Sequence, residues 1–158
     1  MNVLESAFNY QDHVRHEWVD YNGHMNDAAY AAVFSHAVDQ FMDYIGLDER
    51  ARGSYEYTIF TLETHLCYLK EAHEQEEVNV SIQVLDHDSK RMHVIFTMKN
   101  GKGDSLATSE QMLMGMSTAE NRPAPFPETV AHIIQQISKA HEHLDTPKQV
   151  GRQIRIRR

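Results

Sequence analysis

The sequence predicts an α+β domain in which one long helix packs against an antiparallel sheet. Three observations carry this. Apolar residues from Tyr30 to Ile45 recur at helical spacing, and the following 70 residues or so break into strand-like segments. The turns between those segments are short, so neighbouring strands join as hairpins and run antiparallel. One amphipathic helix over one curved sheet gives a two-layer domain.

The first segment, roughly residues 9–19, reads "NYQDHVRHEWV" and is modestly strand-like, with Val14 and Trp18 as anchors. Asn22–Gly23 then signals a sharp turn. The helix begins at Asp27, with Asn26 or Asp27 as its N-cap. Tyr30, Val33, Phe34, Ala37, Phe41, Tyr44 and Ile45 form its apolar stripe, and Gly46 stops it. The predicted length is about 18 residues.

Strands follow directly. "YTIFTLETHLCYL" is expected to place Phe60, Leu62, Leu66 and Tyr68 on one side, with Glu63, His65 and Cys67 on the other. "EVNVSIQVL" alternates at Val78, Val80, Ile82 and Val84. Residues 86–90 form a turn, "RMHVIFTMK" a strand, "NGKG" at 100–103 a hairpin, and "SLATSEQMLMGM" a long strand. "RPAPFPE" breaks the sheet. Pro127 suits the first turn of a closing helix whose apolar face is Val130, Ile133, Ile134 and Ile137.

Composition narrows the function. The apolar share of 41% and charged share of 24% are those of a globular domain. No run is long enough to cross a membrane as a helix. The N-terminus lacks the pattern of a signal peptide, and the single Cys67 allows no internal disulfide. A cytoplasmic location is expected. Net charge is −8, yet five of the fifteen cations lie in "KQVGRQIRIRR" at the C-terminus. Residues 1–147 therefore carry ten cations against 23 acids, or −13, which argues against nucleic acid as a partner. The basic tail reads either as a solvated end or as a short strand, since Ile154 and Ile156 alternate with Arg155 and Arg157.

One polar cluster stands out. Asp20, Asn22, His24 and Asn26 occupy every second position of "DYNGHMNDAAY", where strand turns into helix. Singly, such residues are ordinary turn and capping groups. Together they stand beside a helix N-terminus, whose free backbone N–H groups can polarise a carbonyl. A carboxylate nearby could attack that carbonyl or activate water. The chemistry that fits is acyl transfer to water.

This pattern, with Tyr30 four residues beyond Asn26 and the element order around it, resembles the hot-dog-fold thioesterases of the 4-hydroxybenzoyl-CoA thioesterase-like superfamily. The resemblance covers about residues 8–140. It implies a hot-dog fold: one central helix wrapped by a five-stranded antiparallel sheet, plus a C-terminal helix. It implies a single domain over 1–145, with 146–158 as a basic tail. Carried over by position, Asp20 is the catalytic carboxylate, nucleophile or general base. Asn22 and His24 position water or substrate, with Asn26 beside them. The Asp27 N–H is the oxyanion donor, although an acidic side chain there departs from the pattern. Glu71, in "YLKEA", matches a catalytic Glu of the acyl-ACP branch.

"TLETHLCYLKEA", "LDHDSKRMHV", "ATSEQMLMGM" and "RPAPFP" resemble the thioesterases linked to carnitine breakdown, some of them fused to carnitine dehydrogenase. That resemblance implies betainyl-CoA as substrate, with a trimethylammonium acyl end. Aromatic faces bind such cations. Trp18, Tyr30 and Tyr68 are candidates, with Tyr55, Tyr57 and Phe60 beside them; for most of these a plain core role is the stronger reading. Glu63 or Glu110 would add attraction. Glu110, alone among Met112, Met114 and Met116, needs a partner if buried. Lys90 and Arg91 are candidates for the CoA phosphates, as is the tail of a neighbouring subunit.

No cofactor is implied. His13/His16 and His141/His143 are the possible metal-ligand pairs, but their spacings point the rings apart, and no metal is expected. Other readings are an acyl-ACP or different acyl-CoA thioesterase, a hydratase or dehydratase using His24, and a non-catalytic acyl-CoA-binding domain. One helix on one sheet leaves a sheet edge open, and the resemblance implies a homodimer or homotetramer.

Overall fold

Helix α1, Asp27–Tyr44, forms where the apolar stripe places it. Asn26 caps it through its side chain, which accepts the Ala29 N–H at 3.0 Å. Gly46, at φ +94°, ends it. The Gly46 N–H bonds the Asp43 carbonyl and the Leu47 N–H the Met42 carbonyl, which completes a Schellman turn. Phe34 and Phe41 on its inner face are fully buried, each worth about 1.5–3 kcal/mol of transfer free energy.

The computed structural model describes residues 7–158. The signal-peptide reading falls partly on residues 1–6, which lie outside the described residues. Strand β1 spans Tyr10–His13, shorter than the expected 9–19. Beyond it the chain makes a 3-10 turn at His16–Trp18. A short helix, α2, Glu49–Tyr55, follows α1 and was not expected from the sequence. Asp48 caps it by accepting the Ala51 N–H at 2.9 Å.

The sheet comprises β1, β2 (Tyr57–Tyr68), β3 (Glu77–His87), β4 (Arg91–Asn100) and β5 (Ser105–Ser117), in the order β1-β3-β4-β5-β2. All pairings are antiparallel, and a two-residue β6, Arg122–Pro123, adds to β5. Val80, Val94, Phe96, Met98 and Leu113 face α1 in a common core. Closing helix α3, Glu128–His141, buries Val130, Ile134 and Ile137 as expected. This is the hot-dog architecture.

Strand β2 corrects the sequence reading. A bulge between Thr61 and Glu63 shifts its register on β5 by one. One extra residue exchanges the two faces of a strand. Phe60 pairs Met114 before the bulge, and His65 pairs Glu110 after it, so Phe60 shares a face with Glu63, His65 and Cys67. Leu66 and Tyr68 lie on the opposite, α1-facing side, where Tyr68 meets Tyr30 edge-on at 5.2 Å.

Two contacts fix the rest of the frame. Tyr57 reaches over Gly115 to donate to the Ala124 carbonyl at 2.7 Å. Residues beyond α3 return over the outer sheet face, where Gln149 is buried and the Gly151 N–H donates to Glu110 at 2.8 Å. Residues 152–158 are exposed and form no strand.

Candidate active site

The polar run Asp20–Asn26 folds into one tight turn ahead of α1. Gly23, at φ +75°, allows the chain to reverse. Asp20 Oδ1 accepts the Asn22 N–H at 2.9 Å and the His24 N–H at 3.2 Å. Backbone bonds from Asp20 N–H to the His24 carbonyl and from Gly23 N–H to the Asp20 carbonyl close the loop. The Asn26 side chain also donates to the Trp18 carbonyl at 3.0 Å, tying the turn to the 3-10 segment.

The start of α1 is then accounted for donor by donor. The Ala28 N–H is held by the Asp27 carboxylate at 2.9 Å and the Ala29 N–H by Asn26. The Asp27 N–H has no acceptor among the described residues. It is the donor left for a ligand at the positive end of an 18-residue helix.

That end opens on a shallow cleft of about 360 Å³ lined by Met25, Asp27, Tyr30, Tyr68, Leu69, Lys70 and Glu71. Tyr30 accepts the Ala72 N–H at 3.2 Å, so its ring is fixed in place. The Tyr68 hydroxyl donates to the Asp27 carbonyl at 3.2 Å. Burial, with the Asp27 charge adding to it, raises the Tyr68 pKa and keeps that phenol a donor. Burial likewise raises Tyr30. His24 Nε2 lies 3.3 Å from Glu71 Oε2 at the rim.

The structure thus gathers Asp27, Tyr30, Tyr68 and Glu71 in one cleft, with His24, Asn26, Asp20 and Asn22 on the adjoining turn. Trp18 stands behind Asn26 and carries the Arg15 guanidinium 4.4 Å above its ring. Four expected residues lie elsewhere. Glu63 and Glu110 line a separate depression on the outer sheet face with His65 and His93. There Glu110 bonds His93 at 2.6 Å. Burial works to raise its pKa, but the Gly151 N–H and the His93 and His65 charges outweigh it and hold the carboxyl below its ordinary range. Arg91 is engaged by Asp88, whose pKa it lowers to about 2, and Lys90 sits beside it on the same turn.

One residue outside the cleft and its turn comes up against the rim without any sign in the sequence. His73, between β2 and β3, forms an isolated antiparallel bridge with His24, and their rings meet edge-on at 4.9 Å. The two are 49 residues apart, and no local pattern announces the contact. His141 is used structurally: its Nδ1 accepts the Val84 N–H at 3.0 Å.

A helix start with one unsatisfied N–H, beside carboxylates and a His–Glu contact, is equipped to polarise and hydrolyse an acyl group. Residues 14–134 match the model of the thioesterase-like superfamily. The chain belongs to this superfamily. It is 44% identical over 146 residues, 92% of each chain, to the Pseudomonas aeruginosa betainyl-CoA thioesterase. It is 38% identical to the L-carnitine dehydrogenase/betainyl-CoA thioesterase of Ruegeria pomeroyi, over 88% of this chain but only 28% of that one. A Staphylococcus aureus protein solved in complex with CoA superposes with a TM-score of 0.91 at 34% identity, covering 96% of both chains. Among the described residues, no helix is long and apolar enough to cross a membrane.

Proposed function

We propose that this protein is an acyl-CoA thioesterase acting on betainyl-CoA, with its site at the N-terminus of α1. The unsatisfied Asp27 N–H is the observation that carries the reading. A thioester carbonyl oxygen placed on it gains the helix dipole as negative charge develops. Asp20 then attacks the carbonyl carbon or takes a proton from the attacking water. His24, held by Glu71, orients that water. Where Asp20 attacks, collapse of the tetrahedral intermediate expels the CoA thiolate and leaves an anhydride on Asp20 that water then hydrolyses; where Asp20 activates water, that water is already in the intermediate, and collapse expels the thiolate, which takes the proton held by Asp20, and gives the free acid directly.

The lining supports a cationic acyl end. Tyr30 and Tyr68 present rings, and Asp27 and Glu71 present negative charge, around a cleft sized for a small group. The Asp27 side chain opposes the oxyanion but attracts a trimethylammonium, so the unusual residue fits a cationic substrate better than a neutral one. The relative at 44% identity is named for that substrate. For the CoA phosphates, Lys90 and the tail arginines are the candidates kept, since Arg91 is committed to Asp88.

The working unit we infer is a homodimer. Strand β2 is an edge strand, and Phe60, Leu62 and their neighbours from Thr61 to Thr64 are all exposed on it. An unpaired edge with Phe60 and Leu62 exposed on it invites pairing with a second copy. The same pairing would set a partner subunit against the face carrying Glu63 and Glu110.

The test compares betainyl-CoA with 3,3-dimethylbutanoyl-CoA, its neutral isostere, by free-thiol release. Betainyl-CoA should show at least about tenfold higher kcat/KM, the 1.4 kcal/mol that one or two cation–π contacts supply. Equal rates would sink the cationic-substrate reading, and no release from either would sink the hydrolase reading.

A further inference from the structure

We propose that His24, Glu71 and His73 form a binding site for a zinc-class transition-metal ion at the mouth of the cleft, and that occupancy switches the enzyme off. One potential ligand atom from each residue lies within 4.8 Å of the others. Tetrahedral zinc with bonds of about 2.0–2.1 Å needs ligand atoms about 3.3–3.5 Å apart. The His24–Glu71 pair already stands at 3.3 Å. Closing the remainder takes only side-chain rotation, and Glu71 and His73 are exposed and free to make it.

The backbone beneath is fixed. His24 and His73 are joined by the β-bridge, and the Met25 N–H bonds the Ala72 carbonyl at 2.8 Å between them. On the far side, the Gln75 N–H bonds the Val14 carbonyl at 2.8 Å. The two segments that supply the ligands are therefore held together before any ion arrives. Two imidazoles and one carboxylate, with a fourth position open to water, suit zinc and its neighbours rather than magnesium or calcium.

The inhibitory part rests on the thioesterase reading. A metal on His24 Nε2 and Glu71 removes both from the role given them there, and places an ion at the cleft mouth. His73 has no such role. Its imidazole makes no hydrogen bond among the described residues, and its backbone is held by Glu76, whose carboxylate accepts the His73 N–H at 2.9 Å. His73→Gln therefore removes a ligand while leaving the turn and the cleft in place.

The experiment titrates the full-length protein with ZnCl2 by calorimetry, and with Co2+ by its ligand-field absorption, using MgCl2 as control. The expected result is one zinc per chain at micromolar or tighter affinity, weakened at least about tenfold in His73→Gln and His24→Gln, with no magnesium uptake. Thiol release by the wild type should be inhibited by zinc and restored by EDTA. His73→Gln should keep its zinc-free turnover and need at least about tenfold more zinc for inhibition. No stoichiometric uptake, or equal affinity in His73→Gln, would overturn the site. Weakened uptake with unchanged inhibition would overturn the inhibitory role alone. If no thioester is hydrolysed, the binding titrations still decide the site, and the inhibitory role falls with the thioesterase reading.

Discussion

Asp20 holds the turn, and one substitution separates that from the catalytic role proposed for it. Its Oδ1 holds the turn by accepting the Asn22 and His24 N–H groups at 2.9 and 3.2 Å, while its charge is the one assigned to the reaction. Asparagine places an oxygen at the same point, so Asp20→Asn keeps both acceptor contacts and loses the base. A hydrogen bond to a charged acceptor is worth about 1.5–3 kcal/mol and to a neutral one about 0.5–1.5. Asp20 is exposed, which reduces the difference to about 1 kcal/mol for the two bonds together. In a chain of this length that lowers Tm by about 2–4 °C. Removing a general base costs about 10²–10⁴ in rate, or roughly 2.7–5.4 kcal/mol of barrier. Asp20→Ala loses the acceptors too and should unfold about 1–3 kcal/mol more easily than Asp20→Asn. The assay is kcat and KM by thiol release, beside urea midpoints for all three proteins. The expected pattern is two variants equally inactive, with unchanged KM where it can be measured, but unequally stable. Near-wild-type kcat in Asp20→Asn would refute the catalytic assignment and leave Asp20 as a turn residue.

Four further substitutions test the frame. Gly115→Ala should destabilise by about 2–3 kcal/mol or more, because its Cβ would lie 1.7 Å from the Tyr57 hydroxyl and 3.0 Å from the Ala124 carbonyl; Tyr57→Phe should cost about 1–3 kcal/mol by leaving that carbonyl unpaired, and chemical denaturation reads both. Glu110→Gln should loosen the C-terminal return, seen as faster amide exchange at Gly151. Since the Glu110 pKa is lowered from 4.5, the carboxylate stabilises the fold fully above its unfolded value and loses that as pH falls through its folded value. Urea midpoints of wild type and variant should therefore converge on acidification through that range, and a constant gap would contradict the assignment. Phe60→Asp on the β2 edge should shift the protein to monomer in light scattering; an unchanged oligomer would place the interface elsewhere.

The helix and its polar prelude were legible because their signals are local. Cap, stripe and stop lie within one run from Asn26 to Leu47, and the structure uses all three. The hairpin at 100–103 and the Pro127 start of α3 were legible for the same reason. What failed were inferences that assumed a period would persist. Strict alternation predicts one face for β2, and the bulge past Thr61 splits it, moving Phe60 from the side of Leu66 and Tyr68 to that of Glu63 and His65. Helix α2 buries no residue of its own, so it has no apolar stripe to find. Asp48 before it was the one available sign.

The site divides along the same line. The Asp20–Tyr30 motif is contiguous, and chain chemistry alone shows a turn feeding a helix start. Whether Glu71, Glu63 or Glu110 joins it depends on where distant strands end. Tyr68 closes β2 on the α1 side, so the segment just after it, including Glu71, is delivered to the helix N-terminus. Glu110 is paired across the sheet to His65 and Ile95, on the face turned away from α1. Parity in a sheet thus assigns one carboxylate to the cleft and another to the outer face, though both looked equally plausible in the sequence. A second copy docked on the β2 edge is the way open for the outer-face residues to act with a cleft, which makes the oligomeric state a test of their role as well as of the assembly.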